Sequence, residues 1–481
     1  MQKYNSWNIA IAGELMVTRP FAMHDERSFL ALRDLMQESD LTYAHLEMNL
    51  GDFSNTGWPA RGDWFGSYMM ADGKIAEDLR WLGIDMMSLA NNHSLDLGAK
   101  GLMSTRERCE QQGIGHAGTG RDLEEAREPA FVETARGRVA LISVSSGNKQ
   151  DEWAGLPKGT MPGRPGINPL RVDTRYHLDA QSAEELKSVS ERLGILRLPG
   201  KRVAGTAGRP MAPNEFKLAF PGEQGSNAAQ VFVEGAEECR VVTECNVRDL
   251  EANIRSVEEG AQMADLVMVA HHFNISETGR GDTPPGFVRD FAHRCIDAGA
   301  DIFVGHGWHK TLGIEIYKGR PIFYGLGNFF AQSEFIRRVP YDSYETWGHD
   351  MDRLNTLTPA VHPLHPGLDN SSETWWSSAV FSVKFEDGVL REVQLHPVEL
   401  GREPTAEKTI TRTTGKGPEV LTEGRPLLAT GEAAQRILQR LQRVSEPFGT
   451  DIQIENGVGI LRIPVESVSA VAEEREDVLI S

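Results

Sequence analysis

Apolar positions along the chain switch repeatedly between short continuous runs and a three-to-four-residue repeat, the two signatures of strands and helices. Asn8 to Gly13 is a short apolar run that ends at Glu14. Arg27 to Gln37 carries apolar residues at helical spacing, and Leu41 to Leu46 reads as a strand. Ile75 to Leu82 predicts a helix, Met86 to Ala90 a buried strand, Gly98 to Gln111 a helix and Val139 to Val144 another strand. Later, Val247 to Met263 predicts a helix, Leu266 to Ala270 a strand, Phe287 to Ala298 a helix and Asp301 to Val304 a strand. Strands interleaved with helices imply layered α/β packing around a mainly buried sheet.

Between Asn148 and Gly225 this pattern loosens: Gly155 to Pro169 is rich in Gly and Pro, and Glu184 to Leu193 predicts a single amphipathic helix. Long irregular stretches inside compact domains are usually functional loops or disordered, so the region reads as a lid-like insertion. Gly313 to Phe330 predicts a hairpin about Lys318-Gly319, and Ala379 to Leu400 one about Asp387-Gly388. Between them lies a second irregular stretch, Arg337 to Ser377. The division that follows is a main unit over residues 1–400, interrupted at about 148–245, and a small α+β appendage over 401–481. In the appendage, Glu432 to Val444 is helical and two strands flank Asn456-Gly457.

The 481 residues hold 50 Lys plus Arg against 69 Asp plus Glu, a formal charge of −19. That balance argues against a nucleic-acid backbone as partner, because such affinity comes from Lys and Arg neutralising phosphates. No run of about 18 uncharged apolar residues occurs, so a transmembrane helix is not expected. The first residues show no secretory h-region, and a cytoplasmic protein without membrane contact is the expectation. Whether it forms a homo-oligomer is open at this point. Four cysteines are too few for a disulfide scaffold, and Cys239 and Cys245 lack zinc-ribbon spacing.

Polar residues of ligand type recur where the predicted strands end. Glu14 ends the first, His45 and Glu47 the second, and Asn91-Asn92-His93 follow the third. His271-His272 and Gly305-His306-Gly307-Trp308-His309 end two later ones. Any of these histidines alone is more often a core or surface residue; their joint placement at five strand ends is what points to a site. Ligands of open α/β sheets bind beyond the carboxyl ends of the strands. Carboxylates, an amide and several imidazoles gathered there would be expensive to desolvate without a cation. Mixed O/N ligation without thiolate suits Mn, Fe, Zn or Co. A Walker-A loop is excluded at Gly118-Thr119-Gly120-Arg121, which lacks the lysine, and no Gly-x-Ser-x-Gly occurs.

These segments carry a resemblance. Gly13-Glu14, His45-Leu46-Glu47, Ala90-Asn91-Asn92-His93, Val269-Ala270-His271 and Gly305 to His309 resemble the ordered motifs of CapA-type proteins. These are the poly-γ-glutamate capsule synthesis proteins, a branch of the calcineurin-like metallophosphoesterase superfamily. Gly319 to Phe329 resembles that family's closing strand. The resemblance implies a four-layer α/β/β/α sandwich holding two divalent ions (Mn, Fe or Zn). It assigns Glu14, Glu47, Asn92, His271, His306 and His309 as metal ligands, Glu47 being shared, and His93 as the proton-transfer group. Only one of His271 and His272 can be the ligand, because neighbours on a strand point to opposite faces; the alignment favours His271.

Two positions depart from the family pattern. Glu14 stands where Asp is usual, and His45 stands where Asn is common, which places an extra imidazole toward the substrate side. Arg19, Arg61, Arg164 and Arg171 are further substrate-binding candidates, since guanidinium pairs with carboxylate or phosphate through two parallel bonds. Trp308 is expected to wall the pocket. The activity implied is a metal-dependent hydrolase using a metal-activated water on a carboxylate-bearing amide or γ-glutamyl-type substrate, that is, a small anionic or peptide-like molecule. Calcineurin-like phosphoester hydrolysis and a non-catalytic polymer-binding role in capsule assembly are the alternatives.

Overall fold

The computed structural model describes residues 6–52, 56–59, 68–199, 211–220, 230–277, 279, 281–332, 340–346, 348, 372–401, 411–414, 417–420 and 424–463. Its strands are β1 (Trp7–Met16), β2 (Leu41–Leu46), β3 (Met86–Ser88), β4 (Gly137–Ser146), β5 (Leu266–Phe273), β6 (Ile302–His306), β7 (Asn328–Ala331), β8 (Ser377–Glu386) and β9 (Val389–Glu399), together with shorter ones named by range. The main helices are α1 (Arg27–Gln37), α2 (Ile75–Leu82), α3 (Gly98–Gln111), α4 (Val247–Met263), α5 (Gly286–Asp297) and α6 (Gly431–Ser445). The fold is mixed α/β with several mixed sheets.

The larger sheet has ten strands, in the order Gln453–Glu455, Val458–Arg462, β9, β8, β1, β2, β3 and Gly115–Ala117, with β7 also joining β1 and Leu427–Leu428 joining β9. The second has six, in the order Ile314–Tyr317, Arg320–Phe323, β6, β5, β4 and Ala130–Thr134. Alternation along each strand decides what each face buries. Ile9 and Ile11 of β1, Tyr43 of β2 and Phe381 of β8 share a core with Leu141 of β4, Met268 of β5 and Val304 of β6. The opposite face of the first sheet packs Ala10 and Ala44 on Phe29 and Leu32 of α1 and Leu79 of α2. The opposite face of the second packs Val269 and Phe303 on Val257 of α4 and Phe291 of α5. Helices therefore cover the outer faces, and the inner faces meet each other.

The region expected as an irregular insertion is more ordered than its sequence indicated. It carries a five-stranded sheet of its own, in the order Leu196–Arg197, Glu215–Leu218, Gln230–Glu234, Val172–Leu178 and Arg240–Cys245, with the helix Ala180–Arg192 packed on it. The described part of 401–481, read as an appendage, extends the larger sheet: Val458–Arg462 pairs antiparallel with β9, and Leu438 and Leu441 of α6 enter the core between the sheets. Most of the stretch from Arg337 to Ser377 lies outside the described residues. Among the described residues no helix is long and apolar enough to cross a membrane.

Arg425 ties this C-terminal segment to the main body. It is fully buried, its Nη2 donates to Glu26 Oε1 at 2.6 Å at the start of α1, and its guanidinium lies 4.6 Å from the Phe29 ring. Removing one partner of such a pair strands a buried charge, so Arg425→Ala is expected to cost about 3–5 kcal/mol of stability in urea unfolding. A loss below about 1 kcal/mol, the scale of a surface pair, would contradict the anchoring role.

Candidate metal centre

The site begins with an irregularity in β1. Ile11 pairs with Tyr43, yet Glu14 pairs with His45, so three steps along β1 match two along β2. The extra residue is a β-bulge, which re-aims the side chains after it. Ala12 lies on the helix-covered face and so does Leu15, which leaves Glu14 on the face toward the second sheet. Gly13 allows this: a Cβ there would sit 2.0 Å from the Gly327 carbonyl oxygen, and the same oxygen accepts the Glu14 N–H at 2.9 Å.

Strand alternation supplies the rest. His45, two residues after Tyr43, and His272, two after Ala270, continue the inner-face rows of β2 and β5, and His306 continues that of β6. Glu14 Oε2 lies 2.7 Å from His309 Nδ1, and Glu47 Oε2 lies 3.7 Å from the same nitrogen. Glu47 Oε1 is 3.8 Å from His272 Nε2. Two groups result, Glu14–Glu47–His309 and His45–Glu47–His272, each with ligand atoms within 4.8 Å of one another and with Glu47 common to both. Beside the second, His272 Nε2 is 2.7 Å from Asn92 Oδ1.

The loop after β6 is built for close approach. A Cβ at Gly307 would lie 2.3 Å from the Phe273 carbonyl oxygen, and the Gly307 N–H donates to Glu14 Oε1 at 2.9 Å. His309 adopts φ of +56°, a left-handed conformation that costs a non-glycine residue about 1–2 kcal/mol. Such strain gathers at functional sites. Asn328 Oδ1 lies 3.0 Å from His309 Nδ1.

Glu14 and Glu47 are both 1% exposed. Burial pushes the Glu14 carboxyl up, but His309 and the bonds to it outweigh this and hold Glu14 well below the usual carboxylate range. Burial, reinforced by neighbouring imidazoles, drives His45 well below its ordinary value, and burial does the same to His272 even against the pull of Glu14. The neutral ring is the form that ligates a metal. Two buried carboxylates, an amide and neutral imidazoles without thiolate fit divalent cations of the Mn, Fe, Zn or Co kind.

The structure gathers Glu14, Glu47, His309, Asn92 and His45, and it revises the histidine on β5. His271 belongs to the outer row with Val267 and Val269; it lies among Phe273, Phe287, Phe291 and Phe303, bonded to Ser146 Oγ at 2.8 Å. His272 takes the inner place. His306 reaches the seam but joins neither group: its ring stacks on His45 at 4.3 Å, and its Nε2 lies 3.1 Å from the Tyr43 hydroxyl.

Trp308 is buried edge-on against Phe273, on the helix side. Exposed Arg164 donates to the carbonyls of Trp153 and Gln150 in its own loop, and Arg171 pairs with Asp249. Arg19 follows β1, its N–H 3.2 Å from Gln332 Oε1, and Arg61 lies outside the described residues.

His93 is oriented by a residue that sequence reasoning missed. Its Nδ1 lies 2.7 Å from Asp96 Oδ2, which also accepts the Met69 N–H, and its backbone N–H donates to Asn91 Oδ1 at 2.9 Å. Asn49 braces the loop by donating to the carbonyls of His93 and Ser94. The spacing His93-x-x-Asp96 was visible in the chain.

The profile of the bacterial capsule synthesis protein PGA_cap matches residues 8–333, a span that contains every residue of this centre. The chain belongs to that family. Uncharacterized protein y4sH of Sinorhizobium fredii is 32% identical over 468 residues, covering 95% of this chain and 94% of the relative. A probable polyglutamine synthesis accessory protein of Mycobacterium tuberculosis is 28% identical over 253 residues, 52% of this chain and 46% of the relative. The PGA biosynthesis protein CapA of Bacillus subtilis is 41% identical over 89 residues, 18% of this chain and 23% of the relative.

If this PGA_cap member holds cations as its donor set indicates, elemental analysis of protein equilibrated with Mn or Zn is expected to give about two ions per chain. Thermal stability should rise with free ion, by about 2.7 kcal/mol at a hundredfold excess over Kd. His309→Ala should cost one ion and Glu47→Ala should weaken both. Protein that takes up no ion and gains no stability would contradict the assignment.

Proposed function

We propose that this PGA_cap protein is a metal-dependent hydrolase acting on a carboxylate-bearing amide of the γ-glutamyl type. The observation that carries the reading is the pair of buried His/Glu groups joined through Glu47. The two large sheets meeting face to face, with helices on their outer faces, support the four-layer α/β/β/α arrangement of calcineurin-like metallophosphoesterases. The choice of bond draws on relatives whose names refer to PGA biosynthesis and polyglutamine synthesis. A small anionic or peptide-like substrate fits better than nucleic acid for a chain of net charge −19.

Glu14, Glu47 and His309 would hold one cation; Glu47 and His272, with Asn92 and His45 beside them, would hold the other. Bound divalent ions supply Lewis acidity that makes water more acidic and stabilises an oxyanion. The Gly307 N–H fixes the orientation of Glu14. In the His93–Asp96 pair, Asp96 accepts the Nδ1 proton, which leaves Nε2 to carry a proton to or from the reacting bond.

Metal-loaded protein assayed against γ-glutamyl amides and phosphodiesters is expected to turn over the amides. His93→Ala should lower kcat by about 10²–10⁴, with metal content unchanged. Turnover of phosphodiesters alone would replace the bond assignment. Full metal loading with no turnover of either class would favour a polymer-binding role.

A further inference from the structure

Beneath the centre, a row of buried polar groups leads away from His272. Its Nδ1 lies 3.1 Å from His45 Nε2, and His45 Nδ1 lies 2.7 Å from Ser88 Oγ. Ser88 Oγ lies 2.5 Å from the Tyr43 hydroxyl, which lies 3.1 Å from His306 Nε2. Tyr43, His45, Ser88, His272 and His306 are each at most 2% exposed. The strands explain the assembly: Ser88 of β3 is the register partner of His45 on β2, and His272 of β5 is that of His306 on β6.

The protons of this row can be counted. A serine or tyrosine hydroxyl has a single proton to donate, and a neutral imidazole donates from one nitrogen and accepts at the other. The direction of the whole row is therefore set at its ends. Around His272 Nε2 stand two oxygens that accept, Asn92 Oδ1 at 2.7 Å and Glu47 Oε1 at 3.8 Å, and one amide nitrogen that donates, Asn274 Nδ2 at 3.1 Å. Asn92 Oδ1 also takes an N–H from Asn274 at 3.0 Å.

With no cation, His272 Nε2 can either donate to Asn92 or accept from Asn274, so neither direction of the row is imposed. With a cation among these acceptors, Nε2 must offer its lone pair and the proton sits on Nδ1. Every link then points outward: His272 Nδ1–H to His45 Nε2, His45 Nδ1–H to Ser88, Ser88 O–H to Tyr43, and Tyr43 O–H to His306 Nε2. Each contact keeps one proton.

We propose that His45, Ser88 and Tyr43 form an outer relay that holds His272 in the Nδ1–H tautomer, so that its Nε2 ligates a divalent cation together with Asn92 and Glu47. This rests on the metal-centre reading and divides its roles: His45 is a positioning residue instead of a ligand or a substrate contact. His306 ends the relay with Nε2 accepting from Tyr43, which withdraws that nitrogen from coordination. Outer partners of this kind typically set metal affinity by 10–100-fold.

The test is Zn²⁺ binding to the full chain, measured by competition with a chromophoric chelator. Ser88→Ala is expected to weaken one of the two ions by about 10–100-fold, with full stoichiometry at saturating Zn²⁺ and the other ion unaffected. Ser88→Thr, which keeps a hydroxyl, should restore most of the loss, as a filled volume alone would not. His45→Ala should weaken the same ion without abolishing it, whereas His272→Ala should abolish it. Long-range ¹H–¹⁵N spectra of the Zn²⁺-loaded protein should show His272 protonated at Nδ1.

Wild-type affinity in Ser88→Ala, or outright loss of an ion in His45→Ala, would overturn the relay while leaving the metal centre standing. Two ions retained in both His272→Ala and Glu47→Ala would overturn the centre itself. Should Ser88→Ala fail to fold, Tyr43→Phe interrupts the same row at its next link and carries the same expectation.

Discussion

Two carboxylates, Glu14 and Glu47, are taken out of water where the sheets meet. Desolvating a carboxylate costs several kcal/mol after all relaxation, and two close together add mutual repulsion. His309 and the Gly307 N–H offset part of this for Glu14. Full compensation calls for positive charge within reach of both groups, and a divalent cation on either side of Glu47 would supply it. The glycine-bound loop after β6, the left-handed backbone of His309 and the amide braces are intelligible as ways of keeping donors in place for such ions.

The geometry rests on strand alternation more than on loops. Inner-face positions of β1, β2, β5 and β6 are apolar through the core and become ligand-type at the rim. In this way one rule builds both the hydrophobic seam and the polar cage at its end. The bulge at Gly13 is the single departure that this requires. Without it, the β1 parity would turn Glu14 to the helix-covered side beside Ala10 and Ala12. Rigid strands hold side chains more closely than loops do, which suits a centre whose donors must share one residue.

Much of this was legible in the chain. The amphipathic helices α1 and α4 and the strand β2 fall on the residues their periodicity marked. The donors at the strand ends announced themselves by type: Glu14, Glu47, Asn92 and His309 do converge. The choice between His271 and His272 was not legible, because β5 is buried on both faces and its apolar run carries no polarity to mark the inner side. Equally hidden were the strands of the insertion. Gln230–Glu234 is half-buried along its whole length and lacks the alternation that would mark it. Ser88 and Tyr43 drew no notice because hydroxyls are common, and only register sets them side by side.

Anomalous diffraction from crystals soaked in Mn²⁺ or Zn²⁺ addresses the central claim most directly. The account requires two peaks, one on each side of Glu47, the first in contact with Glu14 and His309 and the second with His272 and Asn92. Density with no peak at this seam, or a lone ion held by His271 or His306 away from Glu47, would contradict it.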